Sequence, residues 1–416
     1  MPTFSIFFLA ALVLALGTRL WLASRHLNYM RTHREAVPPA FAASVGIDAH
    51  HKAADYSAAK TQINIVSFIA DALVLVALTF GGALQAIDQL ARIIAADGLL
   101  QQVLFLGLLV VLLSIIDLPF SLYRTFRVEA RFGFNKMTLG MFVKDLAKQA
   151  LIGAALGLPL AFAVLWLMQR MGESWWFYVW LLWVVFNTAV LAFYPTLIAP
   201  LFNKFTPLED GTLKQRVEQL LAKCGFASKG LFVMDGSTRS SHGNAYFTGF
   251  GKAKRIVFFD TLLNRLEHPE IEAVIAHELG HFRMRHVLRR MAWTFAISLA
   301  FLWVLGMVQN QPWFYQGLGV VYPATDAMAL TLFFTVAPVF VFLIRPLAAM
   351  YSRKHEFEAD EYAAKFADAG DLVHALVKLY QDNASTLTPD PLHSAFYDSH
   401  PPAAARISRL QQLAKA

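Results

Sequence analysis

The sequence predicts a mostly α-helical, polytopic membrane protein: seven transmembrane helices, with a polar C-terminal region of helices around a short β-sheet. Three observations carry this. Of 416 residues, 57% are hydrophobic and only 16% are charged, against about 25% charged in an ordinary soluble domain. The mean hydropathy is +0.47. Seven stretches supply the ~20 mostly apolar residues that a helix needs to cross a bilayer. These figures exclude disorder, collagen-like repeats and a small disulfide scaffold. The single cysteine, Cys224, excludes a disulfide framework and any cysteine-based zinc cluster.

The spans fall at about 3–24, 63–84, 99–119, 149–168, 176–198, 291–309 and 327–348. The first is read as a retained helix. Its leading segment MPTFS has no positive side chain, and its apolar run is longer than a signal-peptide core. All nine tryptophans lie in or beside the spans, from Trp21 to Trp313, which suits their preference for the membrane interface.

Loop charge sets the orientation. Arg25, Arg31, Arg34, Lys52 and Lys60 follow span one, and Arg124, Arg127, Arg131, Lys136, Lys144 and Lys148 follow span three. The even-numbered connections are nearly free of net positive charge, and 310–326 has no Lys or Arg. The positive-inside rule then places the N-terminus outside and both 199–290 and 349–416 in the cytoplasm, where they can meet. The net charge of +7 reads as topology. No basic stripe interleaved with aromatics points to nucleic acid, so none is expected as a partner. The chain divides into an N-terminal membrane region, 1–200, with five spans. A C-terminal domain, 201–416, contains spans six and seven.

No internal repeat or low-complexity tract interrupts this plan. Residues 209–223 have helical apolar spacing, and 231–235, 244–248 and 255–259 read as short strands between Gly- and Ser-containing turns. Helix resumes near 268, with Pro269 suited to its first turn.

The chemistry centres on His277-Glu278-Leu279-Gly280-His281. Residues four apart share a helix face, so His277 and His281 can hold one metal ion, with Glu278 beside them as a base. Imidazole suits Zn²⁺, and a catalytic zinc keeps one position open for water. A chance HExxH in a chain with 13 histidines has an expected count on the order of 0.01. The alternative is a solvated helix face, but the apolar EAVIA run just before the motif supports a buried helix. A third ligand is sought on the same side of the membrane. In Ser352–Asp360, Glu356 and Asp360 share a face; one can bind the metal while the other anchors a ligating histidine. Glu358 and His355 are rival ligands, and chemistry alone leaves the choice open.

HELGH, EFEAD at 356–360 and His400-Pro401-Pro402 with Arg406 together resemble the integral-membrane zinc CAAX prenyl proteases, type I. Gly133-Phe134-Asn135-Lys136, Tyr194–Phe205 and His242–Gly249 strengthen the resemblance, which runs from span two to residue 410. It implies one zinc held by His277, His281 and Glu356, with Glu278 as base and Asp360 behind the ligands. It also implies that His400 assists catalysis by donating to the substrate carbonyl. Asn244, Ala245, Tyr246 and Phe247 would line a cleft that binds peptide as an added strand, and Arg406 is grouped with these substrate-binding residues. The implied architecture is seven tilted helices enclosing a water-filled chamber, capped by a cytoplasmic zincin-like metalloprotease domain. Asp71, Asp117 and Arg345 would face that chamber or pair between helices. His286 and His393 are left to surface or packing roles.

The function expected is a zinc endopeptidase acting on peptide or protein substrates, prenylated or membrane-associated, and removing the three residues after a lipidated cysteine. A membrane quality-control metalloprotease of the heat-shock type shares HExxH and a downstream Glu, but is shorter and lacks the HPP segment. A transporter would leave the complete motif unexplained, and a scaffold would not need Glu278. The short alanine-rich loops point to a bacterial inner membrane; a eukaryotic source would place the chain in the endoplasmic reticulum.

Overall fold

All seven apolar runs are helical in the computed structural model, which describes residues 1–226, 228, 230–248 and 255–415. The N-terminal half contains α1 (Thr3–Thr32), α2 (Ile47–Leu78), α3 (Ala83–Ile94), α4 (Leu99–Tyr123), α5 (Leu139–Arg170) and α6 (Trp175–Phe193). Then follow α7 (Thr212–Lys223), α8 (Asp260–Leu263), α9 (His268–Arg283), α10 (His286–Val308), α11 (Pro312–Gln316), α12 (Asp326–Val341) and α13 (Arg345–Phe366). The chain ends with α14 (Ala369–Asp382), α15 (Pro391–Tyr397) and α16 (Ala403–Leu413).

The helices are longer than the apolar runs that reveal them. The second span begins at Ile47, sixteen residues before the apolar run at 63. Residues 47–62 are rich in His, Lys and Asp, so hydropathy hides them, yet Ala53 and Tyr56 pack with Val128 and Phe134. The fourth begins at Leu139, where the Thr138 hydroxyl accepts the Met141 N–H at 3.2 Å, an N-cap. The seventh is two helices, α12 and α13, separated by a 3₁₀ turn at Phe342–Ile344 before Pro346. Residues 85–98, expected as a loop, are largely helix α3.

The spans pack together mainly at one end. Phe8 and Leu12 of α1, Leu78 of α2, Phe105 of α4, Leu165 of α5, Trp175 of α6, Leu305 of α10 and Leu332 of α12 belong to one apolar cluster. These positions are the N-terminal ends of α1, α4, α6 and α12 and the C-terminal ends of α2, α5 and α10, as alternating helix directions require. Even with that cluster counted, the first six spans bury at most 22% of their apolar windows. Among the spanning helices, the Arg345 guanidinium lies 4.9 Å over the Tyr397 ring, and Asp71 and Asp117 are exposed.

The opposite ends carry the sheet. Strands β1 (Phe205–Pro207), β2 (Leu231–Met234), β3 (Ala245–Thr248) and β4 (Arg255–Phe259) are ordered β1-β2-β4-β3. Only β2 and β4 run parallel; β3 pairs antiparallel with β4 and is an edge strand. Gly249, the last residue of the 242–249 motif, lies outside the described residues. Ile256 and Phe258 of β4 join Val217, Leu220, Ile271, Ile275 and Leu279 in a second core. Gly133–Lys136 ties membrane helices to this domain. Asn135 bridges to Ser240, and the Lys136 N–H donates to the Arg239 carbonyl at 3.1 Å. Arg239 in turn binds Asp145 of α5 at 2.9 and 3.2 Å and Asn203 at 3.0 Å.

Candidate metal centre

Helix α9 starts with a capping box between Glu267 and Glu270, and Pro269 sits in its first turn. Lys378 of α14 lies 2.7 Å from the buried Glu270 carboxylate. Ile271, Ile275, Ala276 and Leu279 bury one face, which leaves the His277–His281 face toward α13. The two helices cross at Gly280, where an added Cβ would lie 2.9 Å from the Ala359 Cα and 3.1 Å from its carbonyl oxygen. That close approach brings the EFEAD segment against the histidines.

Three ligand atoms converge there. His277 Nε2 and His281 Nε2 are 3.2 Å apart. Glu356 places its two carboxylate oxygens 3.6 Å from His277 Nε2 and 3.3 Å from His281 Nε2. Ligands 2.0–2.1 Å from a tetrahedral ion are separated by roughly 3.3 Å, so the spacing fits a metal. The hydrogen-bonding pattern fits as well. His277 Nδ1 lies 2.9 Å from Asp360 Oδ1; with its proton there, Nε2 presents only a lone pair. Glu356 Oε2 is buried and accepts no hydrogen bond; the Arg406 guanidinium stands 3.6 Å away, beyond hydrogen-bond reach, so the oxygen keeps lone pairs that a metal ion can take. Of the two carboxylates left open by sequence, Glu356 joins this group, whereas Glu358 and His355 lie together with His286.

The other expected residues are distributed around this cluster. His400, exposed, lies with Nε2 3.4 Å from Glu356 Oε1. Arg406 is buried; its guanidinium binds Asp360 at 2.8 and 2.6 Å and stands 3.4 Å from His277 Nδ1. Its side chain is thus occupied behind the histidine, while the expected cleft residues lie on and beside β3. Glu278, half-buried, directly follows His277 on α9. Asn244 is exposed at the head of β3, where its carbonyl accepts the Phe259 N–H at 3.0 Å. Ala245 is buried, and Tyr246 and Phe247 are half-buried. His242, just upstream, stacks on Phe134 at 4.5 Å and reaches Asn383 at 3.1 Å.

Sequence reasoning missed one residue. His286 is not on the surface: it is 4% exposed, with Nδ1 2.9 Å from His281 Nδ1 and Nε2 2.9 Å from Glu358. Five residues on a continuous helix turn through about 140°, which would separate the two rings. The helix instead breaks at Arg285, which has a φ of 56°, and the chain folds His286 back. No glycine or proline advertises that break. His393, the other unassigned histidine, stacks on His26 of α1 at 4.0 Å.

Comparison with known proteins places the chain in a family. Residues 26–204 match the family model for the CAAX prenyl protease N-terminal region of five membrane helices, and 207–414 match peptidase family M48. The CAAX prenyl protease 1 homolog of Arabidopsis thaliana is 42% identical over 297 residues, 71% of this chain and 69% of that protein. CAAX prenyl protease 1 of Saccharomyces cerevisiae is 32% identical over 413 residues, 93% of this chain and 91% of that one. The crystal structure of S. mikatae Ste24p superposes with a TM-score of 0.93 over 99% of both chains at 30% identity. The chain belongs to peptidase family M48, as a multi-pass membrane metalloendopeptidase of its CAAX prenyl protease 1 branch.

Proposed function

We propose that the chain is a zinc-dependent membrane endopeptidase that removes the C-terminal tripeptide of prenylated proteins or cleaves related peptides near the membrane. The observation that carries the metal reading is the convergence of His277, His281 and Glu356 at tetrahedral spacing, with a buried carboxylate oxygen that accepts no hydrogen bond. The CAAX reading rests on relatives named CAAX prenyl protease 1 that match most of the chain. Zinc, when bound, polarises a carbonyl and makes water acidic enough to ionise near neutral pH. Glu278 takes a proton from the attacking water and passes it to the leaving amine, a general base followed by a general acid. His400 donates to the carbonyl oxygen as negative charge develops there. The free edge of β3, with Asn244 through Phe247, aligns the peptide as an added strand held by main-chain hydrogen bonds. Asp360, itself held by Arg406, fixes the His277 ring.

The domain division at 200/201, the cytoplasmic placement of the 201–416 domain and the exterior N-terminus belong to this proposal, supported by loop charge. So does the membrane, bacterial inner or endoplasmic reticulum. The test is cleavage-site mapping by mass spectrometry on farnesylated and unmodified peptides of one sequence. Cleavage directly after the lipidated cysteine, abolished by chelation, is expected. Equal cleavage of both peptides at scattered sites would refute the prenyl specificity and favour a broader quality-control role.

A further inference from the structure

His286, His355 and Glu358 form a second cluster of potential ligands beside the metal centre. Its geometry argues against a second ion. The His286 and His355 rings are stacked, with centroids 3.9 Å apart and planes 10° from parallel. Imidazole lone pairs lie in the ring plane, so two stacked rings cannot aim theirs at one point. His286 is also fully committed elsewhere. If His281 Nε2 faces the metal, its proton is on Nδ1, which lies 2.9 Å from His286 Nδ1. His286 Nδ1 must then accept, which places its own proton on Nε2, 2.9 Å from Glu358 Oε2. A metal on His286 Nε2 would reverse that tautomer and set two N–H groups against each other.

We propose that His286 and Glu358 form a positioning relay for His281: His281 Nδ1–H donates to His286 Nδ1, and His286 Nε2–H donates to the Glu358 carboxylate. The proposal rests on the metal reading above. The two ligating histidines are thus anchored differently. His277 reaches its carboxylate, Asp360, directly at 2.9 Å; His281 reaches Glu358 through an intervening imidazole. The turn at Arg285 makes this possible by bringing the first residue of α10 onto the last turn of α9. The His355 ring covers the open face of His286, and Tyr351 in turn packs on His355 at 4.3 Å. Lys354 Nζ lies 3.8 Å from the second Glu358 oxygen. Orienting partners of this kind are worth about 10–100-fold in metal affinity or activity.

The experiment follows zinc release from the full chain in detergent to the chromogenic chelator 4-(2-pyridylazo)resorcinol, after loading with one equivalent of Zn²⁺. His286→Leu should release zinc about 10–100-fold faster than wild type. His286→Asn offers an amide oxygen where Nδ1 stood, and should restore most of the retention. Glu358→Leu should accelerate release and Glu358→Gln should not, since the amide oxygen still accepts. Thermal melts establish that each variant is folded. Wild-type release rates in folded His286→Leu and Glu358→Leu would overturn the relay alone. So would equal acceleration in folded His286→Leu and His286→Asn, which would leave His286 a packing role. A wild-type chain that takes up no zinc would overturn both the relay and the metal reading.

Discussion

Gly280→Ala tests whether the α9–α13 crossing sets the metal geometry. Its new Cβ would lie 2.9 Å from the Ala359 Cα, and 3.1 Å from both the Ala359 carbonyl oxygen and the Tyr362 Cβ. Two of these neighbours are backbone atoms of α13 and cannot rotate away. Restoring an ordinary contact of 3.4 Å requires the helices to part by about 0.5 Å, whereas metal–ligand distances tolerate only about 0.2 Å. Glu356 is on α13 and both histidines are on α9, so the separation falls directly on the ligand set. In energy, alanine recovers about 1 kcal/mol of helix propensity, while overpacking costs about 1–3 kcal/mol. The net effect is a loss of up to about 2 kcal/mol, opposite in sign to that at an unobstructed helical glycine. Gly153 of α5 is the control, since its Cβ would meet nothing within 4 Å. Gly280→Ala should lower the melting midpoint and release zinc at least about tenfold faster to a chelator, and Gly153→Ala should do neither. Wild-type zinc retention and melting in Gly280→Ala would refute the crossing argument.

Three further outcomes follow from the same geometry. Glu356→Ala should lower zinc content after dialysis by at least about tenfold, because one of three protein ligands is gone. Unchanged content would return Glu358 or His355 to contention. Treatment with 1,10-phenanthroline should abolish peptide cleavage and added zinc should restore it; activity that survives removal of all measurable metal would exclude the proposed chemistry. Arg285→Gly should raise stability by about 1 kcal/mol, since a side chain in the left-handed region costs roughly that much. Arg285 is exposed, so no packing is lost. A lower melting midpoint would show that the arginine side chain stabilises the turn.

Hydropathy located all seven spans because a bilayer demands uniform apolar length. It misplaced their ends because the helices continue into polar surroundings, where packing replaces lipid; Ala53 and Tyr56 of α2 illustrate this. The His277–His281 pair was legible because helical periodicity alone places both rings on one face. The choice of Glu356 over Glu358 was not legible from chemistry. It depends on how α13 crosses α9, a long-range contact set by a glycine whose role is invisible until both helices are in place. His286 was hidden for a related reason: only a helix break at an ordinary arginine brings it to His281. Arg406 was grouped with the cleft by motif alone; that its guanidinium is buried on Asp360 was not legible in the sequence, because it depends on how α16 packs against α13.

The most direct test of the account measures zinc content and peptide cleavage together in wild type and Glu278→Gln. Glu278 is assigned the proton and not the metal. The variant should therefore retain about one zinc per chain while cleavage falls by about 10²–10⁴-fold. Cleavage at the wild-type rate by the zinc-loaded variant, or loss of zinc in parallel with activity, would contradict that assignment.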